Sequence, residues 1–123
     1  MKELTRAEEE VMQILWKIKK GMVRDILKHF APPYPAYSTV STIIRILERK
    51  GFVGHKAYGK THEYFPLVSK EAYRKTFLKG FLGKYFENSY SSLISHLVKD
   101  RQVDIKELEN IIEMIKKEEN GDD

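Results

Sequence analysis

Residues 37–65 read YSTVSTIIRILERKGFVGHKAYGKTHEYF and contain the most informative secondary-structure signals of the chain. Its first part predicts a helix over residues 38–50, capped by Ser38, because apolar side chains recur there at helical spacing. These side chains are Val40, Ile43, Ile44 and Leu47. Residues 53–65 contain two short segments, partly aromatic and β-branched, on either side of a glycine-bearing turn, which predicts a β-hairpin. The stretch therefore predicts a helix followed by a two-stranded wing.

Two further amphipathic helices precede this stretch. Thr5 and Glu8 have the spacing of a capping box and predict the start of the first helix. The second helix is short, because the proline-rich loop 32–35 prevents its continuation. Three helices followed by a hairpin predict a winged helix-turn-helix domain over residues 1–68, in which the third helix is the exposed reading element.

The chain changes character at residue 69. Aromatic side chains recur at every fourth position of a longer helix, and two later segments carry aliphatic side chains at helical spacing. About 50 residues with such bulky faces cannot readily close a core of their own. We therefore predict that residues 69–123 form a helical dimerisation region, covered by a second copy of the chain. The predicted interface comprises Tyr73, Phe77, Phe81, Leu93, Leu97, Leu108, Ile111, Ile112 and Ile115.

The charge distribution favours an anionic partner for the first part of the chain. The 123 residues carry a formal net charge of +4 at pH 7. Counted along the sequence, residues 1–68 carry +5, residues 69–86 carry +4 and residues 87–123 carry −5. A basic front with an acidic tail indicates that one region binds a polyanion and another does not.

The absence of cysteine limits the chemistry further. With no cysteine in the sequence, disulfides, thiol catalysis and cysteine-based metal sites are excluded, and a reducing compartment is favoured. No apolar stretch approaches the roughly 20 residues of a membrane span. We therefore expect a soluble, cytoplasmic protein without membrane insertion.

The outward side of the predicted third helix carries short hydroxyls and two guanidiniums. Small hydroxyl side chains let a helix approach the major groove of DNA, and guanidiniums bind guanine edges or phosphates. Two lysines flank the hairpin turn, where a wing would lie along the DNA backbone. The predicted DNA-binding residues are Ser38, Thr39, Ser41, Thr42, Arg45, Arg49, Lys56 and Lys60. An ordinary solvated helix face is the alternative for the same pattern.

An enzyme would need a catalytic constellation, and the sequence offers little. His55, His62 and Glu63 lie around the hairpin and are the best candidates for a metal site. No metalloprotease motif, glycine-rich phosphate loop or nucleophile elbow accompanies them. We predict no enzymatic activity, no cofactor and no metal. The alternative to a DNA-binding repressor is a winged-helix adaptor that binds only proteins.

Several runs of the sequence resemble the penicillinase repressor family of bacterial transcription factors, the BlaI/MecI type. They start at Leu4 (L-T-x-A-E-x-E-V-M-x-x-L-W), at Tyr37 (Y-S-T-V-x-T), at Lys50 (K-G-F) and at Tyr64 (Y-x-P-L-V). The resemblance implies a homodimeric repressor with an N-terminal winged helix that binds palindromic operator DNA and a C-terminal dimerisation region. It also implies control of antibiotic-resistance genes, relieved when a membrane-bound sensor protease, triggered by a β-lactam, leads to cleavage of the repressor.

The sequence departs from this family at two functional places. The family often has arginine and leucine where this chain has Ile46 and Leu47, and the arginine here is one step earlier, at Arg45. This difference leaves the operator sequence open. The family's cleaved Asn-Phe bond aligns with His96-Leu97, so the resemblance does not carry cleavage or a β-lactam signal over to this chain.

Overall fold

The computed structural model describes the backbone of residues 2–121 and the side chains of residues 2–113. Within them the chain forms helices and one two-stranded antiparallel sheet. The elements are α1 (Arg6–Ile18), α2 (Val23–Leu27), α3 (Tyr37–Arg49), β1 (Val53–Tyr58), β2 (Thr61–Pro66), α4 (Lys70–Tyr85), α5 (Tyr90–Lys99) and α6 (Ile105–Gly121). The predicted fold class, a winged helix-turn-helix followed by a helical region, is confirmed. The chain divides into two compact units, Met1–Thr76 and Phe77–Asp123.

Helix α1 begins with the predicted capping box. The Glu8 amide donates to Thr5 Oγ1 at 3.2 Å, and the Thr5 amide donates to Glu8 Oε1 at 3.0 Å. Two amides that the first helical turn leaves without partners are satisfied in this way. The helix ends at Ile18, and Lys19 follows with a positive φ of 74°.

Helix α3 begins earlier than the sequence predicted, and the assignment of Ser38 as its cap is wrong. The N-cap is Ala36, whose carbonyl accepts the first helical bond, from the Val40 amide at 3.2 Å. Ala36 and Tyr37 are exposed, so solvent can satisfy the first amides and no side-chain cap is needed. Ser38 therefore lies inside the first turn.

Strands β1 and β2 pair from Val53 with Pro66 at the base to Tyr58 with Thr61 at the tip. The turn between them contains only Gly59 and Lys60, with φ 64° at Gly59, a conformation that glycine adopts without strain.

A backbone bridge fixes the base of the hairpin to the segment between α1 and α2. The Gly21 amide donates to the Tyr64 carbonyl at 2.9 Å, and the Tyr64 amide donates to the Gly21 carbonyl at 2.8 Å. Gly21 is buried, and a Cβ there would lie 2.9 Å from Ile18 Cδ1 and 3.0 Å from Asp25 Cβ. The close approach explains why this position holds a glycine.

The core of the first unit lies between α1, α2, α3 and the base of the wing. Its largest fully buried side chains are Phe52, Met12, Leu15, Ile26, Ile44, Leu47, Val11, Val40 and Val53. Burial of this apolar set is the main favourable contribution to the fold of the unit.

The start of α4 packs on this core through Tyr73. Its ring lies 5.6 Å from that of Trp16 and 5.8 Å from that of Phe52, and its hydroxyl donates to Glu9 Oε1 at 3.1 Å. Burial, followed by the hydrogen bond to Glu9, raises the pKa of the Tyr73 hydroxyl to about 12. The Trp16 Nε1 donates to the Val68 carbonyl at 2.8 Å. The first turns of α4 therefore belong to the first unit.

A partly buried ion pair joins the start of α1 to Lys50, the residue that follows α3. Lys50, after α3, donates to Glu8 Oε1 in α1 at 2.6 Å, and Glu8 is 5% exposed. Burial by itself raises the pKa of the Glu8 carboxyl, but the hydrogen bonds from Lys50 and Thr5 outweigh it, and the pKa is lowered overall. The carboxyl is thus held in its charged form.

In the second unit, side chains cap the first turns of α5 and α6. Ser89 Oγ accepts from the Ser92 amide at 3.0 Å, and Asp104 Oδ1 accepts from the Glu107 amide at 2.7 Å. Among the helices that the structure describes, none is long and apolar enough to cross a membrane.

Candidate DNA-binding face

Helix α3 has one buried side, which packs in the core, and one exposed side, which carries the predicted DNA-binding residues of this helix. Val40, Ile44 and Leu47 are fully buried in the core. On the other side Ser38, Thr39, Thr42, Arg45 and Arg49 are exposed, and Ser41 is half-buried. The predicted recognition residues of this helix thus lie together on one accessible surface.

Two local hydrogen bonds order this surface. The Thr42 hydroxyl donates to the Ser38 carbonyl one turn earlier, at 2.9 Å. Arg45 Nη2 donates to Ser41 Oγ at 3.1 Å. The Thr42 hydroxyl has used its only proton and keeps acceptor capacity, whereas the Ser41 hydroxyl and the other N–H groups of Arg45 remain as donors for a ligand.

A shallow depression lies on the outside of the C-terminal half of α3. It has a volume of about 360 Å³ and is lined by Thr42, Arg45, Glu48 and Arg49. Three of these four residues were predicted DNA contacts, and Glu48 is an acidic side chain among them.

A second, larger hollow separates α3 from the wing, and we call it the wing cleft. It has a volume of about 580 Å³. Its lining residues are Met22, Val23, Arg24, Tyr37, Ser41, Arg45, Lys60, Thr61, His62 and Tyr64. Lys60 from the wing tip therefore shares one cleft with Ser41 and Arg45 of α3.

Two basic residues that line the wing cleft were not among the predicted DNA-binding residues. Arg24 is exposed in the first turn of α2, and His62 is half-buried in β2. Nothing in the local sequence distinguishes Arg24 from other surface arginines. Its place in the wing cleft depends on how α2 packs beside α3, which is a tertiary property.

Lys56 lies apart from the wing cleft. Successive side chains of a strand point to opposite faces, and its neighbour His55 faces α3, where it is hydrogen-bonded to Glu48. Lys56 therefore lies on the other face of the hairpin, opposite Glu63 in the register, with its ammonium 5.3 Å from the centre of the Tyr58 ring.

The two wing histidines form a stacked pair on the face toward α3. The His55 and His62 rings are nearly parallel, with 4.1 Å between their centres, and Tyr64 lies about 6 Å from both. Burial raises the pKa of the Tyr64 hydroxyl, and the negative charge of Glu48 adds to the rise. Within the residues described, no group of three or more histidine and acidic side chains is arranged to hold a metal ion.

Comparison with known proteins identifies the chain at the level of its family. The family model described as penicillinase repressor matches residues 4–117. The chain belongs to the penicillinase repressor family. Members of this family are transcriptional repressors and not enzymes, which confirms the prediction that the chain is not an enzyme.

Named relatives of this penicillinase repressor family member match over most of their length. The methicillin resistance regulatory protein MecI of Staphylococcus aureus strain N315 is 30% identical over 119 residues, which cover 89% of this chain and 93% of that protein. MecI of Mammaliicoccus sciuri is 30% identical over 114 residues, with the same coverage. The penicillinase repressor of Bacillus licheniformis is 20% identical over 119 residues, which cover 96% of this chain and 93% of that protein.

The second unit of this family member exposes much of its apolar surface. Of the predicted interface residues, Phe77 is 57% exposed, Ile111 38% and Ile112 42%. The others of this set in the second unit are half-buried: Phe81, Leu93, Leu97 and Leu108. The Ile115 side chain lies outside the described residues. Tyr73 differs from the rest, since its ring packs within the first unit.

Further large apolar side chains of the second unit are exposed that the sequence analysis did not select. They are Leu78, Tyr85, Tyr90, Ile94 and Ile105. Most of them lie one to three residues from a predicted interface residue on the same helix. Helical spacing alone therefore did not show which apolar side chains of these helices belong to the interface.

Proposed function

We propose that this penicillinase repressor family member is a homodimeric transcriptional repressor that binds palindromic operator DNA through α3 and the wing. The observation that carries the proposal is the exposed row of hydroxyls and guanidiniums on α3, which continues into the basic wing cleft. A helix with this chemistry and a buried opposite side fits the major groove, as in other helix-turn-helix proteins.

In this proposal the middle of α3 reads bases. Ser41 and Thr42 are short enough to let the helix backbone approach the base edges, and Arg45 reaches beyond them. The hydrogen bond from Arg45 to Ser41 restricts the guanidinium before DNA arrives, so less side-chain entropy is lost on binding. Ser38 and Thr39 lie at the start of the helix, nearest the entry to the groove.

Phosphate contacts flank the base-reading segment. Arg49 ends α3 on one side, and Lys60 and Arg24 line the wing cleft on the other. Lys56, on the outer face of the hairpin, is a phosphate contact in this proposal only if the duplex also touches that face. Such contacts contribute affinity without sequence preference.

The second unit supplies the dimer. Its exposed aromatic and aliphatic side chains, Phe77, Ile111 and Ile112 among them, are costly to leave in water and fit a self-complementary interface. This arrangement assigns DNA binding to residues 1–68 and dimerisation to residues 69–123. Two linked winged-helix domains would occupy the two halves of a palindrome.

The regulated genes follow from the relatives. Two of them are named for methicillin resistance and one for penicillinase, and we propose antibiotic-resistance genes as targets here. Bacterial DNA lies in the cytoplasm, so we place the repressor there. Release through a membrane-bound sensor protease is the mechanism to test, and the corresponding bond is His96-Leu97 in α5.

Footprinting of the DNA around the chain's own gene, with and without a β-lactam, tests this proposal. We expect a protected palindrome that becomes accessible when the repressor is released. In vitro, the logarithm of the affinity should fall with the logarithm of salt concentration by about 0.9 per phosphate neutralised. A protein that retains no duplex even at low salt would be an adaptor and not a repressor.

A further inference from the structure

The stacked pair His55 and His62 lies at the wing cleft but has no part in the function proposed so far. His62 lines the cleft, and the His55 ring stacks on the His62 ring, with 4.1 Å between the ring centres and 8° between the ring planes. His55 in turn is hydrogen-bonded through Nδ1 to Glu48 of α3. The pair therefore connects the wing to α3 beside the predicted DNA contacts.

The two histidines of this pair lie beside opposite charges. Glu48 of α3 is the carboxylate bonded to His55. The cleft that His62 lines also contains Arg24 of α2, Arg45 of α3 and Lys60 of the wing tip, and its other ionisable groups are the hydroxyls of Tyr37 and Tyr64. Among the residues that the structure describes, no carboxylate lines that cleft. His55 thus has an anionic partner, whereas His62 faces cations.

Electrostatics determines how such a pair takes up protons. Imidazole is the side chain whose charge ordinarily changes between pH 5 and 8. The Glu48 carboxylate lies against His55, whereas Arg24, Arg45 and Lys60 share the cleft with His62. A phosphate entering the cleft would neutralise those cations and accept a hydrogen bond from the His62 ring, so that bound DNA favours a charged imidazole there.

We propose that His62 is a DNA-contact residue and that the His55–His62 pair takes up a proton when the duplex binds. This inference rests on the proposed function, since it places phosphate in the wing cleft. His55 acts as the positioning residue, because its bond to Glu48 and its stacking hold the His62 ring at the cleft. DNA binding by this protein is then stronger in mildly acidic solution than in alkaline solution, beyond any general effect of charge.

The test measures proton uptake directly, with the full chain and a random-sequence duplex of about 30 base pairs at low salt. Because non-specific binding depends on phosphate contacts, no operator is needed. Calorimetry in two buffers of different ionisation enthalpy gives the number of protons taken up. We expect a fraction of a proton up to one, with affinity rising by up to about tenfold per pH unit as the pH falls from 8 to 5.5.

His62→Gln should abolish this uptake and remove the rise in affinity as the pH falls from 8 to 5.5. The sequence provides matched controls, since its two other histidines, His29 and His96, lie outside the wing cleft. His29→Gln and His96→Gln should retain the wild-type uptake. Circular dichroism and thermal unfolding of each variant establish that it is folded.

The outcomes separate the inference from the function on which it rests. A wild-type protein that binds the duplex without proton uptake overturns the inference and leaves the DNA-binding function in place. Uptake that survives in His62→Gln, or disappears in His29→Gln or His96→Gln, also overturns it. A protein that binds no duplex at any pH overturns the proposed function as well.

Discussion

Both units of the chain contain amphipathic helices, but the first unit buries the apolar sides of its helices and the second leaves much of them exposed. In the first unit the apolar sides of α1 and α3 converge, and Val11, Leu15, Val40 and Leu47 are completely buried. In the second unit, among the side chains described, only Leu82 is buried, with 2% of its surface exposed. The comparison teaches that helical spacing marks an apolar face but does not say whether the face closes within the chain or against another molecule.

The largest effect is expected from a deletion in the first unit's core. Phe52→Ala removes a ring that is 1% exposed and should destabilise the first unit by about 3–5 kcal/mol. The matched change is Phe77→Ala, whose ring is 57% exposed. Urea unfolding, at concentrations too low for dimerisation, measures both. An equal cost for the two variants would show that the second unit closes its own core.

The next largest effect is expected at the exposed apolar surface of the second unit. Ile112→Glu places a charge on the exposed apolar side of α6, and we expect it to weaken dimerisation by about 2–4 kcal/mol. Sedimentation velocity measures the dissociation. Ser91→Glu is the control, because it adds the same charge at an exposed polar position of α5. A variant at Ile112 that stays fully dimeric would contradict the proposed interface.

A third prediction asks whether the exposed surface of the first unit binds DNA. Arg45→Ala should weaken binding to the specific site by about 1–3 kcal/mol, because a base contact is lost. Lys60→Ala should weaken binding to every sequence alike and reduce the salt slope by about one. Fluorescence anisotropy with operator and random duplexes distinguishes them. An unchanged ratio of specific to random binding in Arg45→Ala would contradict its assigned role.

Most of the first unit could be predicted from the sequence because its signals are local. Thr5 and Glu8 reveal the cap of α1, and the turn at Gly59 reveals the hairpin. The start of α3 could not be predicted in this way, because a solvated helix end needs no side-chain cap and Ala36 carries no signal. A helix start can thus be predicted from the local sequence where a side chain caps it, and not where solvent does.

The candidate site was predictable only where it lies on one element. The exposed row on α3 follows from helix geometry, since Val40 and Leu47 fix which side is buried. Arg24 and His62 could not be found in the same way, because they reach the wing cleft from two other elements. Tyr73 shows the converse: the aromatic spacing of α4 assigned it to a dimer face, while its ring packs beside Trp16.

A smaller effect concerns the ion pair that helps the first unit to close on itself. The pKa of Glu8 is lowered in the folded state, so the charged carboxyl contributes stability above pH 4.5 that is lost as the pH falls through the folded value. Glu8→Gln should cost about 1–2 kcal/mol near neutral pH and show a weaker acid-induced loss. Thermal unfolding between pH 3 and 7 measures both, and Glu10→Gln, at an exposed position, serves as the control.

The smallest effect tests the attachment of α4 to the first unit. Because the pKa of the Tyr73 hydroxyl is raised to about 12, its neutral form contributes stability below pH 10 that is lost as the pH rises toward 12. Tyr73→Phe should cost about 0.5–1.5 kcal/mol at neutral pH and remove this alkaline loss. Unfolding of Tyr58→Phe, an exposed tyrosine, provides the reference. Identical alkaline profiles for Tyr73→Phe and the wild type would contradict the assignment.

The backbone bridge between Gly21 and Tyr64 also determines where the hairpin can vary. Two main-chain bonds hold it at its root, independently of any side chain beyond, whereas Gly59 and Lys60 at the tip are exposed. The outer half of the hairpin can therefore change in length and charge among related proteins without disturbing the backbone bonds between Gly21 and Tyr64. Under the proposed function, changes at the tip would adjust the general affinity for DNA phosphates at little cost to the stability of the domain.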